Sequence, residues 1–397
     1  MILGQVSWLD CFAFLIFLAP QLIIHVGFFP TLFCGLSALP FLLLKLPLSF
    51  IYERILLSRE HRSPFAQQAS WFEDIVIRCV RYAFAYIPAK IGRVFFSKWV
   101  ALPFLRFRML RHGYIRSPLH WHEVNESGFK GVWLIKDQYT DPDIILYYSH
   151  GGGFSMGSSY FYLEFLLALL SLLSFNFKNP AILSLEYSLV PDASYPTQLH
   201  QAIAGYKYLQ SIAHPSKIVV SGDSAGGTIM LSLLLYLGNK KSDMGNGNGI
   251  ERQLCLPGMA VLISPWVTLI SPKDKNTASD YLDADNLHRY AKQYSGTKIS
   301  VHDPLISPGK CKDFSTWRNA APEQGFFISY GAEEVFAPEI RDIITLLEKT
   351  NVRVDVQKAE GGIHAWPVAS LFLGSTKEER TKGLREIVKQ ISSRMGA

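Results

Sequence analysis

The hydrophobic and polar residues of this chain follow three different patterns along its length. Residues 11–51 are almost continuously apolar, with Lys45 as the only charged side chain. Residues 70–111 mix basic and aromatic side chains, a composition that suits amphipathic helices. From about Gly131, short apolar runs alternate with longer helical patterns. We therefore predict a membrane anchor over residues 1–50, a helical segment over 51–125 and a larger domain over 126–397.

The apolar stretch exceeds the roughly 20 residues that a helix needs to cross a bilayer. Asp10 precedes it, whereas a secretory signal peptide carries positive charge there and has a shorter apolar run. Prolines at 20, 30, 40 and 47 interrupt the stretch. One tilted span near residues 8–29 and a hairpin that reaches Leu44 both remain open. A buried helix of a soluble protein is the less favoured alternative.

The segment over residues 51–125 is predicted to be a helical cap. Basic residues such as Arg78 and Arg93 occur among aromatic residues such as Trp71, Tyr82 and Phe96. Such helices can lie on a bilayer surface, or they can pack in the ordinary way against a neighbouring domain. Both interpretations apply if the helices form a cap over a pocket.

The remainder of the chain predicts an α/β fold with a mostly parallel central sheet flanked by helices, because strands and helices alternate. A stretch rich in Gly and Asn, Gly238–Gln253, predicts an exposed loop. The predicted strands are GVWLIK, DIILYYS, AILSLEY, KIVVS, MAVLIS, GFFISY and VRVDVQK, and helices are predicted to begin at Tyr160, Pro196, Ala225, Pro338 and Lys377.

Composition and charge exclude several classes of function. The net charge of +6 is mild and no basic run follows the pattern of a nucleic-acid site, so we expect no nucleic-acid partner. The five cysteines lack CxxC spacing, which predicts packing thiols and neither a zinc site nor a disulfide framework. No Walker A or Rossmann glycine pattern is present, so we expect no metal and no organic cofactor.

The sequence GDSAG, Gly222 to Gly226, directly follows the predicted strand KIVVS and precedes a predicted helix. G-x-S-x-G in that context is typical of a nucleophile elbow, a sharp strand-to-helix turn whose glycines relieve crowding. The motif therefore predicts Ser224 as a nucleophile, supported by Gly222, Asp223 and Gly226.

A serine hydroxyl needs a general base that is oriented by a carboxylate. In this type of fold the acid and then the histidine follow the serine along the chain. Glu333 and Glu334 come just after the predicted strand GFFISY, and His364 comes after VRVDVQK. His364 is the predicted base, while either glutamate can be the acid.

Three consecutive glycines follow His150 at the end of the strand DIILYYS. HGGG-type loops supply backbone N–H groups to an oxyanion hole, together with the residue after the nucleophile. The motif predicts that Gly152, Gly153 and Ala225 bind the oxyanion, with His150 and Gly151 supporting the loop.

Taken together, HGGGF, YSLVPDASYP, GDSAGG, the turn from Gly331 to Glu334 and IHAWP resemble the hormone-sensitive-lipase group of α/β-hydrolases, from about Gly131 to the C-terminus. The anchored arylacetamide deacetylases and fungal steryl acetyl hydrolases of this group are the most similar. The resemblance implies hydrolysis of small apolar esters without a cofactor, by a protein anchored in the endoplasmic reticulum membrane. It also favours Glu334 as the acid, at a position where the family usually has Asp.

The sequence leaves two other functions open. One is hydrolysis of an intermediate of a specialised metabolite pathway, or of an amide, and the other is ligand binding without catalysis on the same fold. The side of the membrane also stays open. The positive charge after the anchor favours a cytosolic domain, whereas the anchored relatives imply a luminal one, and Asn125 is a candidate glycosylation site. The sequence predicts no oligomeric state.

Overall fold

A computed structural model of the protein describes residues 1–243 and 254–396. Its centre is an eight-stranded sheet in the order β1-β2-β4-β3-β5-β6-β7-β8. The pairs β1–β2 and β2–β4 are antiparallel, and the other neighbouring pairs are parallel. The strands are β1 His120–Glu126, β2 Phe129–Ile135, β3 Ile144–Ser149, β4 Pro180–Leu185, β5 Ile218–Asp223, β6 Met259–Ile263, β7 Phe326–Gly331 and β8 Val354–Ala359.

The predicted α/β fold with a mostly parallel sheet is confirmed, and the structure adds one edge strand. Strand β1 has the sequence HWHEVNE and only Val124 is buried in it. The sequence does not predict this strand, because an edge strand with one solvated face lacks the continuous apolar run of a central strand. The antiparallel pairing with β2 places it at the edge of the sheet.

Helices cover both faces of the sheet. Along β3, Ile145 and Tyr147 enter one hydrophobic core while Leu146 and Tyr148 enter the other, so the strand is buried on both sides. The helices are α1 Trp8–His25, α2 Phe28–Pro40, α3 Leu46–Ile51, α4 Pro64–Gln68, α5 Trp71–Tyr86, α6 Ala89–Phe95, α7 Lys98–Arg111, α8 Leu163–Leu173, α9 Thr197–Ile212, α10 Ala225–Asp243, α11 Ala284–Ser295, α12 Phe314–Ala320, α13 Ala337–Lys349, α14 Trp366–Leu373 and α15 Lys377–Met395.

Helix α10 corrects the loop prediction for Gly238–Gln253. The helix continues to Asp243, so the first part of that stretch is helical. A Cβ atom on Gly238 would lie 2.7 Å from the backbone nitrogen of Ala320, so the glycine allows α12 to pack closely against α10. The rest of the stretch lies outside the described residues.

Two helices in the N-terminal part are long and apolar enough to cross a membrane. They are α1 and a continuous helix, Phe28–Leu56, in which one π-helical turn, Phe41–Lys45, joins α2 to α3 and a second, Tyr52–Leu56, follows α3. No residue of α2 is buried, and its Phe29 and Phe33 are among the most exposed side chains of the protein. By length and composition, both helices are candidate membrane anchors.

Helix α1 is also fixed to the rest of the protein. The aromatic rings of Phe14 and Phe104 contact edge to face, with 5.1 Å between their centroids. Asp10 is fully buried and pairs with Arg108, at 3.1 Å, and with Arg111, at 2.5 Å. Arg108 in turn makes a bidentate pair with Glu164 of α8, at 2.8 and 2.7 Å. This buried ion network joins α1, α7 and α8.

The basic residues between α3 and α7 are mostly used within the protein. Arg54 donates to Asp74 of α5 and to the carbonyl oxygens of Ala66 and Ala69. Arg93 donates to the carbonyl oxygens of Ser155 and Val190, on the side of the sheet that carries the glycine loop. The contacts of Arg54 lie within the helical segment, whereas those of Arg93 hold this segment against the α/β domain.

Candidate active site

Ser224 lies in the sharp turn between β5 and α10. Its φ angle is +51°, in the left-handed region that side chains other than glycine rarely adopt. Its backbone N–H donates to the carbonyl oxygen of Ile263 at 3.0 Å. A Cβ atom on Gly226 would overlap the carbonyl oxygen of Ser149, and one on Gly222 would lie 2.8 Å from the same oxygen. Both glycines are therefore needed for the turn to fit behind β3.

The glycine loop follows β3 and has a conformation that only glycine adopts easily. Gly152 and Gly153 have φ angles of +114° and +60°. A Cβ atom on Gly152 would overlap the carbonyl oxygen of Met156. Within residues 1–243 and 254–396, the N–H groups of Gly152, Gly153 and Ala225 donate to no protein atom. They are thus available to a ligand oxygen, at the N-terminus of α10 where negative charge is favoured.

Asp223 holds the glycine loop next to the turn. Its Oδ1 atom accepts hydrogen bonds from the N–H of Gly151 at 2.9 Å and from the hydroxyl of Tyr148 at 2.7 Å. Its Oδ2 atom accepts from the hydroxyl of Tyr162 at 2.6 Å. Burial raises the pKa of Asp223, and the two tyrosine hydroxyls and the Gly151 N–H oppose that rise. The residue before the predicted nucleophile therefore sets the position of the loop.

His150 has the geometry of a structural residue. Its ring stacks on Tyr187, with 4.3 Å between centroids, and its Nδ1 atom lies 2.8 Å from the carbonyl oxygen of Gly151. The hydroxyl of Tyr187 donates to the carbonyl oxygen of His150 at 2.9 Å. Burial lowers the pKa of His150 to about 4, so its ring is neutral near pH 7.

Glu334 and His364 lie side by side, in the loops after β7 and β8. Oε2 of Glu334 is 3.6 Å from Nδ1 of His364, and both side chains are buried. Burial alone lowers the pKa of His364, but the carboxylates of Glu334, Asp280 and Asp223 outweigh this effect and raise the pKa. Nδ1 is the ring nitrogen that faces the carboxylate, at a distance longer than a hydrogen bond.

Glu333 lies apart from this pair. Its side chain is partly exposed, whereas that of Glu334 is buried. Its backbone carbonyl accepts a hydrogen bond from Thr277 at 2.8 Å, and its N–H donates to the carbonyl oxygen of Gly362 at 3.0 Å. In this loop, adjacent glutamates thus point in different directions.

The sequence did not single out Ser264, which links the acid to the histidine loop. Its hydroxyl donates to Oε2 of Glu334 at 2.6 Å and accepts from the N–H of Ala365 at 2.9 Å. Ser264 also has a positive φ angle, +45°. The only sequence signal is its position directly after the strand MAVLI, because residues at the carboxyl ends of parallel strands collect at the site.

No group of three or more His, Cys, Asp and Glu side chains that could hold a metal ion is present in residues 1–243 and 254–396. The predicted site residues follow the carboxyl ends of β3, β5, β7 and β8, and they comprise one hydroxyl, one imidazole, one carboxylate and three N–H donors. This arrangement suits nucleophilic attack on a carbonyl carbon.

Residues 146–368 match the family model described as the alpha/beta hydrolase fold. The chain belongs to this family. It is 31% identical over 227 residues to a protein of Schizosaccharomyces pombe provisionally named steryl acetyl hydrolase mug81. The aligned region covers 54% of this chain and 57% of that protein. It is 25% identical over 215 residues to steryl acetyl hydrolase 1 of Saccharomyces cerevisiae, over 51% of this chain and 47% of that protein.

The aligned region thus spans about half the length of these two relatives. The fold is similar to the crystal structure of an esterase from the bacterial hormone-sensitive lipase family, with a TM-score of 0.62 at 20% identity. That likeness covers 82% of this chain and 99% of the esterase. These matches confirm the resemblance to hormone-sensitive-lipase-like α/β-hydrolases and fungal steryl acetyl hydrolases that the motifs predicted.

Proposed function

We propose that this protein is a serine hydrolase of carboxylic esters, with Ser224 as nucleophile, His364 as general base and Glu334 as the acid that orients His364. The observation that supports the proposal is the strained turn at Ser224, where the preceding Asp223 binds the N–H of Gly151, while the N–H groups of Gly152, Gly153 and Ala225 have no partner in the described part of the chain. A fold of this family serves many functions, so the argument rests on these residues and not on the fold.

The chemistry proceeds in two halves. In the first half, Nε2 of His364 takes the proton of the Ser224 hydroxyl while the Ser224 oxygen bonds to the ester carbonyl carbon. The N–H groups of Gly152, Gly153 and Ala225 stabilise the oxyanion that results. His364 then gives the proton to the departing alkoxide, which leaves an acyl-enzyme. In the second half, His364 takes a proton from water as the water oxygen bonds to the acyl carbon, and it then gives this proton to the Ser224 oxygen as the acyl–oxygen bond breaks and the carboxylic acid leaves. Glu334 stabilises the imidazolium that forms in each half.

The substrates that we propose are acetyl esters of apolar alcohols. Two relatives have names that specify steryl acetates, and a relative from Streptomyces hygroscopicus is named as an acetyl-hydrolase. Apolar exposed helices at the N-terminal end agree with a substrate that dissolves in lipid better than in water.

We further propose that α1 and the helix Phe28–Leu56 anchor the protein in the membrane of the endoplasmic reticulum. Both helices satisfy the length and hydropathy of a span, and the exposed apolar side chains of the second helix have no protein partner that would cover them in the described residues. The helical segment before β1 is then a cap that lies between the anchor and Ser224.

The test is the rate of ester hydrolysis by detergent-solubilised full-length protein and by Ser224→Ala, with Ser211→Ala as a control. Ser211 is an exposed serine of α9 whose hydroxyl donates to the carbonyl oxygen of Tyr208. Loss of the nucleophile is expected to lower kcat by about 10⁶-fold, by comparison with another serine hydrolase. Near-native activity in Ser224→Ala would refute the proposal. A panel of acetyl and longer acyl esters, with sterol and aryl acetates, then identifies the substrate class.

A further inference from the structure

The loop before α11, residues 277–280, contacts both of the loops that carry the proposed acid and base. Oδ2 of Asp280 accepts a hydrogen bond from the N–H of Val335 at 2.9 Å. Oδ1 accepts from the N–H of His364 at 3.0 Å and from that of Tyr281 at 2.9 Å. One carboxylate therefore joins the residue after Glu334 to the backbone of His364 itself.

Asp280 is only 1% exposed, and a buried carboxylate costs free energy unless donors compensate for its lost hydration. No Lys, Arg or His within residues 1–243 and 254–396 forms an ion pair with it. The three N–H groups are its compensation, and hydrogen bonds to an ionised acceptor are stronger than those between neutral groups. The Asp280 carboxylate thus holds the backbone N–H groups of Val335, His364 and Tyr281 close to one another.

The same loop is held from the other side by the helical segment. Arg81 of α5 donates from Nε to the carbonyl oxygen of Asp280 at 2.7 Å, and from Nη2 to those of Ala278 and Ser279 at 2.7 and 2.9 Å. Asp280 also receives support within the loop, because its N–H donates to the hydroxyl of Thr277 at 2.9 Å. The loop 277–280 therefore connects α5 to the two loops that carry Glu334 and His364.

We infer that Asp280 is a positioning residue of the ester hydrolysis proposed above, which fixes the loops of Glu334 and His364 relative to each other while Arg81 fixes Asp280. The inference rests on the proposed function and adds a residue that lies outside the Ser-His-Glu set. Because a misplacement of about 1 Å can cost about 10²-fold in rate, a residue that holds both loops affects kcat without touching the substrate.

Asp280 also acts on His364 through its charge. The carboxylates that face His364 are Glu334, Asp280 and Asp223, and the rings that pack against it are those of Tyr281 and Phe336. Each carboxylate favours the protonated imidazolium. Without the charge of Asp280, the imidazole loses its proton at a lower pH, so the acid limb of the rate profile moves to lower pH.

The test compares Asp280→Asn with Asp285→Asn, an exposed acidic residue of α11 in the same region of the chain. Asn has the shape of Asp but carries no charge, and only its carbonyl oxygen can accept, so its NH2 group would face either the N–H of Val335 or those of His364 and Tyr281. We expect Asp280→Asn to lower kcat by about 10- to 100-fold with little change in KM, and to shift the acid limb of kcat/KM to lower pH. Asp285→Asn should match the native protein in both measurements.

A merely structural role gives a different result. If Asp280→Asn lowers the melting temperature but retains the native kcat and pH profile at a temperature where it is folded, the inference is overturned. Ser224→Ala, assayed alongside, separates this failure from that of the proposed function. Activity that survives in Ser224→Ala refutes the proposed function, whereas loss there with native kinetics in Asp280→Asn refutes only the role of Asp280.

The link to α5 is tested by Arg81→Met alone and together with Asp280→Asn. If Arg81 acts through Asp280, the double variant should lose less activity than the product of the two single effects, because both changes release the same loop. Effects that multiply independently would contradict the role of Arg81.

Discussion

Oε2 of Glu334 lies 3.6 Å from Nδ1 of His364, while the neighbouring Glu333 has a partly exposed side chain outside this pair. The same Oε2 atom accepts the hydroxyl of Ser264 and the N–H of Gly331, at 2.6 and 3.2 Å. Two hydrogen bonds thus hold this oxygen, which lies beyond hydrogen-bond distance from the imidazole nitrogen.

The first prediction distinguishes the two glutamates. Glu334→Gln removes the charge that stabilises the imidazolium and should lower kcat by up to about 10⁴-fold, as the loss of a triad carboxylate does elsewhere. Glu333→Gln is the matched control and should stay within a few-fold of the native rate. Initial rates with p-nitrophenyl acetate measure both. The reverse ranking would move the role of the acid to Glu333.

The second prediction concerns pH. His364 must be neutral to accept the serine proton, and burial, which lowers its pKa, is outweighed by Glu334, Asp280 and Asp223. The pKa is therefore raised, and the acid limb of kcat/KM should have its midpoint above the ordinary histidine value of about 6.5. The rate rises as pH increases through this midpoint. A midpoint below the ordinary value, measured with an uncharged ester, would contradict this balance of charges.

The third prediction concerns the glycine loop. Gly152→Ala introduces a Cβ atom that overlaps the carbonyl oxygen of Met156, so the loop and its N–H donors must move. Removal of one oxyanion donor costs about 10²- to 10³-fold in kcat elsewhere, and a similar loss is expected here. Gly113→Ala is the control, because Gly113 also has a positive φ angle, +82°, but nothing lies within 4 Å of the added atom. Equal activity of the two variants would show that the Gly152 loop takes no part in the rate.

Motifs with a local cause were predictable from the sequence. The sequence predicts Ser224, Gly152 and Gly153 as site residues because an elbow and a loop of this kind require glycines at fixed positions, and these three residues do have positive φ angles. It predicts His364 because this residue follows a strand near the end of the chain. Ser264 and Asp280 were missed because their roles depend on long-range contacts. Asp280 reaches Val335 and His364 across 55 and 84 residues of sequence, and no local pattern records such a contact. The polar edge strand β1 was missed for a related reason, since its position depends on pairing with β2.

The anchor proposal needs a test other than truncation. Met1 and Leu3 are buried with the residues of one hydrophobic core, and Asp10 is buried beside Arg108. Deletion of residues 1–50 would expose that core and remove one partner of a buried ion network, at a cost of about 3–5 kcal/mol for the broken pair alone. We expect the truncated protein to unfold or to lose much of its thermal stability, so its fractionation would report on folding as well as on membrane binding.

A single charge in the second apolar helix avoids this difficulty. Leu43 lies near the middle of the helix Phe28–Leu56 and its side chain is largely exposed, so Leu43→Asp should leave the melting temperature of the detergent-solubilised protein unchanged. An acidic residue at the centre of a spanning helix costs about 2.5–3.5 kcal/mol, so a larger fraction of the variant should be released from membranes by alkaline carbonate. Phe175→Asp is the control, because Phe175 is even more exposed than Leu43 but lies just beyond α8, far along the chain from both apolar helices. Equal release of the two variants, or native protein that is soluble without detergent, would contradict the anchor.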